Sequence, residues 1–246
     1  MEVLPWRHNV IPIRDENPTS TVPYVVYGII ALNILLFMYN GPFTEHGRNP
    51  LIGYLMVPQA VTTGVNKIIP NATAPWITLF THMFLHANFM HIGSNMLYLW
   101  IFGNNIEDAI GHFKFFIFYI ICGLCAAAAQ IIPSSMSQIP MMGASGAIAG
   151  ILGAYILLYP KARIVSLVFL YQVAVLPASV YLGIWFVFQA FNSMIMVGMK
   201  DFAGGGVAFL AHLGGFVAGV IIILLMGGRK LLKGGTQYGY EYNRYE

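Results

Sequence analysis

Charge is the scarcest property of this chain. Only 9% of its 246 residues are Asp, Glu, Lys or Arg, where a soluble domain carries roughly 25%. Hydrophobic residues make up 58%, and the mean hydropathy is +0.70. Such a chain cannot cover a water-facing surface, which excludes a soluble domain and leaves an integral membrane protein. Cysteine is nearly absent too. Cys122 and Cys125 stand at the spacing of a redox pair, but no βαβ pattern surrounds them, so they read as buried, inert thiols. Residues 1–22 hold Pro5, Pro12 and Pro18 but no apolar run. A cleavable leader is therefore not expected, and the first span should itself direct insertion. The net charge of +3 has a topological origin, and nothing suggests a nucleic-acid site.

Acids are missing where they would matter most. Glu2, Asp15, Glu16, Glu45, Glu107, Asp108, Asp201, Glu241 and Glu246 all fall outside the expected spans. A histidine inside a span therefore has no carboxylate behind it. With no His-Glu-x-x-His, and with both thiols in the third span, no metal site is expected.

What is present is a set of apolar runs. A membrane helix needs ~20 apolar residues. Residues 23–40, 80–103, 113–132, 143–159, 178–197 and 207–226 meet that need. The connection 41–79 reads as a loop partly sunk in the membrane interface, with Tyr54 and Trp76 as anchors. Residues 164–176 are apolar but would reach only ~20 Å as a helix, against a ~30 Å hydrocarbon core. They are expected to be an interfacial or re-entrant segment. Six spans place both termini on one side. That side holds Arg7, Arg14, Lys114, Lys161, Arg163, Arg229, Lys230, Lys233 and Arg244, against Arg48, Lys67 and Lys200 opposite. The positive-inside rule makes it the cytoplasm. The tail 227–246, basic and then tyrosine-rich, is expected to be disordered or surface-bound.

One serine stands out, in Gly143-Ala144-Ser145-Gly146. It follows a polar loop and Pro140 and falls in the first turn of an apolar helix. There it lies beside unpaired backbone N–H groups and the positive end of the helix dipole, a suitable place to stabilise an oxyanion. A nucleophilic hydroxyl needs a base, and the only later histidine is His212, in Ala211-His212-Leu213-Gly214-Gly215. With six spans, the fourth and sixth both run inward. Ser145 and His212 each precede the inner end of their helix by 14 residues, or ~21 Å, so they share a depth. A seventh span over 164–176 would separate them. Gly146, Gly150 and Gly153 form one stripe, and Gly215 and Gly219 follow His212 on its own face. Such small residues let membrane helices approach closely. The second span adds His86, His91 and Asn95. His91 and Asn95 share a face and can donate to a developing oxyanion. His82, one turn before His86, reads as structural.

Gly143-Ala144-Ser145-Gly146, Ala211-His212-Leu213-Gly214-Gly215 and His86, His91 and Asn95, in that span order, resemble the rhomboid intramembrane serine proteases. The likeness runs from Ile13-Arg14-Asp15-Glu16-Asn17-Pro18 through the sixth span. It implies an all-α membrane protein, a six-transmembrane-helix bundle with a water-filled cavity. The N-terminal segment would be 1–22, the protease domain 23–226 and the cytoplasmic tail 227–246. Ser145 would be the nucleophile and His212 the general base. Asn95, His91 and the backbone N–H of Ser145 would form the oxyanion hole, supported by His86, Gly143 and Gly146. Substrates would be transmembrane proteins of the same bilayer, cut in or next to a span, with no cofactor. Some members carry a tyrosine four residues after the serine, stacked on the histidine; here that residue is Ala149, so other contacts must orient His212.

A lid with glycine hinges is expected over 199–207, with Phe202 and Gly205, and a lateral gate at Trp185 and Phe186. Two alternatives remain from the sequence: a non-catalytic relative that binds membrane helices, and a haem protein ligated by His212 with His91 or His86. A transporter would need an inverted repeat or an intramembrane acid; neither is found.

Overall fold

Proline, asparagine and glycine divide the apolar chain into helices. The computed structural model describes residues 10–43, 49–168, 172–198 and 208–234. Strand β1 is Val10–Asp15 and helix α1 is Tyr24–Asn40. The short helices α2 (Pro58–Thr63) and α3 (Pro75–Thr81) each begin on proline, where a missing N–H costs nothing. Helices α4 (Phe89–Ile110), α5 (His112–Ile131) and α6 (Ser145–Leu158) follow, then strands β2 (Arg163–Val168) and β3 (Gln172–Pro177). Helices α7 (Ala178–Gly198) and α8 (Phe209–Leu225) complete the fold. The chain is mostly helical. Among the described helices, α5 alone is both long and apolar enough to cross a membrane by length and composition; α1, α6 and α8 are shorter apolar helices.

Two expectations need correction. The all-α expectation holds for most of the chain but not for 164–176, expected as an interfacial or re-entrant segment, which is β-structure. Arg163–Val168 and Gln172–Pro177 pair as an antiparallel hairpin, and Val10–Asp15 adds to β2 as a third strand. The residues suit this: Ile164, Val165, Val168, Val173 and Val175 are β-branched and favour strands. Ile164 and Ser166 on one face are fully buried against the helices. Pro12, which has no N–H to donate, sits on the edge strand beside a register shift. The second correction concerns residues 80–103. The chain breaks between a 3-10 turn at His82–Phe84 and Phe89. Asn88 then caps α4, its Oδ1 accepting the backbone N–H of His91 at 2.9 Å. Helix α4 runs on past Gly103 to Ile110 and so carries Glu107 and Asp108.

Those two acids tie α4 to the chain entering α1. Glu107 is fully buried, and its carboxylate accepts the N–H groups of Val25 and Val26 at 2.9 and 2.8 Å. It thereby satisfies orphan donors at the positive end of α1; its other contact is His112. Asp108 accepts from Ser20 and Thr21. Nearby, Asn105 donates to the carbonyl of Asn17 at 2.8 Å, and Tyr155 of α6 donates to Asp15 at 2.6 Å. The N-terminal segment is thus fastened across the ends of α4 and α6.

Helix α6 is the centre of the bundle; most of its residues are buried. Its contact with α8 is backbone to backbone. A Cβ on Gly215 would lie 2.0 Å from the carbonyl oxygen of Gly146, and one on Gly219 1.9 Å from that of Gly150. No side chain fits between the two rods. Beside that contact, Cys122 of α5 also packs against Gly150. Cys122 is a buried free thiol, and Cys125 is free and exposed. The connection after α1 is ordered where described. Leu55, Val57, Ala60, Ile69 and Leu85 form a small core of their own, while Trp76 is exposed. Gly228–Gly234 forms a 3-10 turn, and Arg229 donates from Nε to the carbonyl of Leu157 at 3.0 Å. Residues 235–246 lie outside the described residues.

Candidate functional site

Ser145 is the first residue of α6, so its N–H has no intrahelical acceptor. The segment leading to it is pinned. Met141 pairs with Met56 in both directions, and the Gly143 N–H donates to the carbonyl of His82 at 2.8 Å. Gly143 has φ +121, a left-handed conformation that favours glycine, and a Cβ there would fall 2.7 Å from Nε2 of His91. Both facts require a residue without a side chain immediately ahead of the serine turn.

His212 lies in the first turn of α8. Because α6 and α8 are parallel and touch at Gly146 and Gly215, their first turns sit side by side. Nε2 of His212 is 2.8 Å from Oγ of Ser145. Nδ1 is 2.9 Å from Oε1 of Gln189 on α7. The imidazole is also flanked by two aromatic rings, Trp185 at 6.0 Å and Phe209 at 6.5 Å between centroids. These groups orient the ring where Ala149 offers no aromatic. No carboxylate touches His212 among the described residues.

Helix α4 supplies the facing wall. His91 Nδ1 accepts the N–H of Ala87, which leaves the proton on Nε2, the nitrogen that faces Gly143. Asn95 is buried, and its Nδ2 has no hydrogen-bond partner among the described residues. The same amide lies 3.7 Å from the Cβ position of Gly143. Two side-chain donors therefore converge on the turn that carries Ser145, with nothing yet to receive them. His86 is buried behind His91, edge to face at 5.0 Å between ring centroids, and neither of its ring nitrogens has a partner among the described residues. His82 is a tether: its Nδ1 pairs with the carbonyl of Thr78 at 2.9 Å, and its own carbonyl holds Gly143. A recess beside Ser145 is lined by His82, Met141, Gly143, Ala208 and Ala211.

The structure therefore brings Ser145, His212, Asn95, His91, His86, Gly143 and Gly146 to one place. Trp185 and Phe186 face α8, where both rings meet Phe216, at 6.1 and 4.6 Å between centroids. The outward face of α7 is Ile184, Val187 and Phe191. Phe202 and Gly205 of the expected lid lie outside the described residues. The sequence reading missed Gln189. Its one available signal was a polar side chain in a span, four residues after Trp185, and Asn192 and Ser193 close by carry the same signal.

Comparison with known proteins identifies the family. The Rhomboid domain model matches residues 73–229. Rhomboid protein 1, mitochondrial, of Saccharomyces cerevisiae is 31% identical over 202 residues, 80% of this chain and 51% of that protein. Rhomboid protease GluP of Bacillus subtilis is 32% identical over 135 residues, 54% of this chain and 24% of that one. Rhomboid protease AarA of Providencia stuartii is 28% identical over 211 residues, 79% and 69% of the two chains. The chain spans about half the length of the yeast relative and about a quarter of the Bacillus one. With a family match over more than half its residues, the chain belongs to the rhomboid family of membrane proteins.

Proposed function

We propose that this protein is an intramembrane serine endopeptidase with a Ser145–His212 dyad. The observation that carries the reading is the 2.8 Å contact between Oγ and Nε2, within reach of proton transfer. In this reaction His212 takes the Ser145 proton, and Oγ attacks the scissile carbonyl. The carbonyl oxygen becomes an oxyanion that receives hydrogen bonds from the Ser145 N–H, Asn95 Nδ2 and His91 Nε2. His212 then returns its proton to the leaving amine, and water releases the acyl group by the same steps in reverse order. Donors held in advance in this way need no reorganisation as charge develops.

The helices α1, α4, α5, α6, α7 and α8 are the six spans of this reading, in the cell membrane with both termini cytoplasmic. Helix α6 has 14 residues, or ~21 Å, against a ~30 Å hydrocarbon core. Its first residue therefore lies below the outer membrane surface, where a recess can admit water. Substrates are transmembrane segments of other proteins, entering between α7 and the rest of the bundle. The Trp185 and Phe186 contacts to Phe216 are the gate. A haem ligated by His212 finds no support, since both ring nitrogens are engaged by Ser145 and Gln189.

A fluorophosphonate probe, which reacts only with an activated serine, tests the reading directly. Wild type should label at Ser145, and Ser145→Ala and His212→Ala should not. Labelling that persists in His212→Ala, or no labelling of folded wild type, would overturn it. Asn95→Ala should slow turnover by roughly 10²–10³-fold, the usual cost of one oxyanion donor.

A further inference from the structure

We infer that Gln189 is a positioning residue that sets the tautomer of His212. The inference rests on the dyad reading, and it assigns the role for which serine hydrolases on several unrelated folds use an acid. A neutral imidazole carries one proton, on either nitrogen. The Gln189 atom facing Nδ1 is Oε1, at 2.9 Å, and a carbonyl oxygen only accepts. Nδ1 therefore donates to it. Nε2 is left with a free lone pair, and the Ser145 hydroxyl, 2.8 Å away, donates to Nε2. That is the protonation state a general base requires. With the proton on Nε2 instead, the ring would donate to Oγ and could not accept its proton.

The surroundings support a dedicated role. Gln189 is 3% exposed, and a buried amide within an apolar helix is costly unless paired. Its neighbours on α7 turn back on their own helix: Asn192 donates to the carbonyl of Phe188, and Ser193 to the carbonyl of Gln189. Gln189 instead reaches across to α8. Trp185, one turn earlier, and Phe209 flank the ring, so the rings restrict its tilt while Gln189 fixes its rotation and its proton. An amide oxygen also accepts this bond without placing a charge in the apolar bundle.

The test compares wild type, Gln189→Met and Gln189→Glu, each reconstituted and assayed on a single-span substrate. Methionine keeps the volume and removes the acceptor. Loss of one hydrogen bond to a group that becomes charged should lower kcat roughly 10- to 100-fold with KM unchanged. Glutamate accepts through its oxygens when ionised and should restore kcat to at least the wild-type order at a pH where it carries its charge. Wild-type kcat in Gln189→Met, or an equal fall in both variants, would overturn the inference while leaving the dyad intact. A wild type that neither cleaves nor labels would overturn the dyad instead. If Gln189→Met does not fold, the nitrogen-15 spectrum of His212 in wild type decides. The inference requires a protonated Nδ1 and a bare Nε2, and the opposite pattern contradicts it.

Discussion

Single residues at this site carry constraints that can be measured one at a time. Gly143 combines a left-handed backbone with a 2.7 Å approach of His91 to its vacant Cβ position. Gly143→Ala should therefore displace His91 and strain the turn, lowering cleavage by at least roughly 10²-fold while the helices remain folded. A helical circular dichroism spectrum beside the activity assay checks both halves. Far from the site, burial pushes the Asp15 carboxyl up to about 6 despite the opposing hydrogen bond from Tyr155. A raised carboxyl means that the folded state holds the proton more tightly than the unfolded chain. The stability that proton contributes is full below the ordinary value of 3.8 and is lost as pH climbs through about 6. Thermal unfolding should show wild type losing stability across that window, and Asp15→Asn should remove the loss. At this scale, motif chemistry singled out Ser145, His212, His91 and Asn95 as polar groups in apolar helices, and the structure brings the four together. Gln189 was not legible. Nothing in the local pattern marks which face of α7 turns inward, and only the α7–α8 contact reveals its partner.

At the scale of elements, the pairing of α6 with α8 sets the register of Ser145 against His212. Lipid tails are as apolar as the side chains they replace, so such helices are held by close packing rather than by exclusion of water. Gly219→Ala places a methyl 1.9 Å from a backbone oxygen, and one rod must move. The expected cost is about 1–3 kcal/mol of stability, with a larger fractional loss of activity. Gly28→Ala in α1, where nothing lies within 4 Å, is the control and should be neutral or slightly stabilising. Glu107→Ala should cost about 2–4 kcal/mol, since it strips a buried acceptor from two N–H groups at the start of α1. Unfolding in a denaturing detergent series measures all three. The glycine stripes were readable from spacing alone. The hairpin was not, because a short apolar run has no period that separates strand from helix. Its partner strand also lies about 150 residues away in sequence, and no local signal reports such a pairing. The break before α4 was missed for a related reason: hydropathy averages over Asn88, whose capping geometry decides where the helix starts.

The whole molecule is organised by where charge is absent. Among the described residues, Arg14, Lys114, Lys161 and Arg163 lie in or next to β1, β2 and the start of α5, and Ser145 stands at the opposite end of α6 from the link to β2. A tag fused before Met1 and another after Glu246 should both be accessible only from the cytoplasmic side of intact cells. A tag inserted in the connection between α1 and α2 should be accessible only from outside. The order of the apolar helices was legible because length and hydropathy limit where long apolar runs can go. How deeply each helix sits was not, because α6 is shorter than the membrane is thick. The central claim is that a serine and a histidine from two glycine-packed helices cleave peptide bonds without an acid. The most direct measurement is cleavage of a reconstituted single-span substrate by wild type, Ser145→Ala and His212→Ala, each shown to be folded. The account predicts a cut in or beside the span by wild type and a loss of at least roughly 10³-fold in each variant. Equal cleavage by wild type and either variant would contradict it.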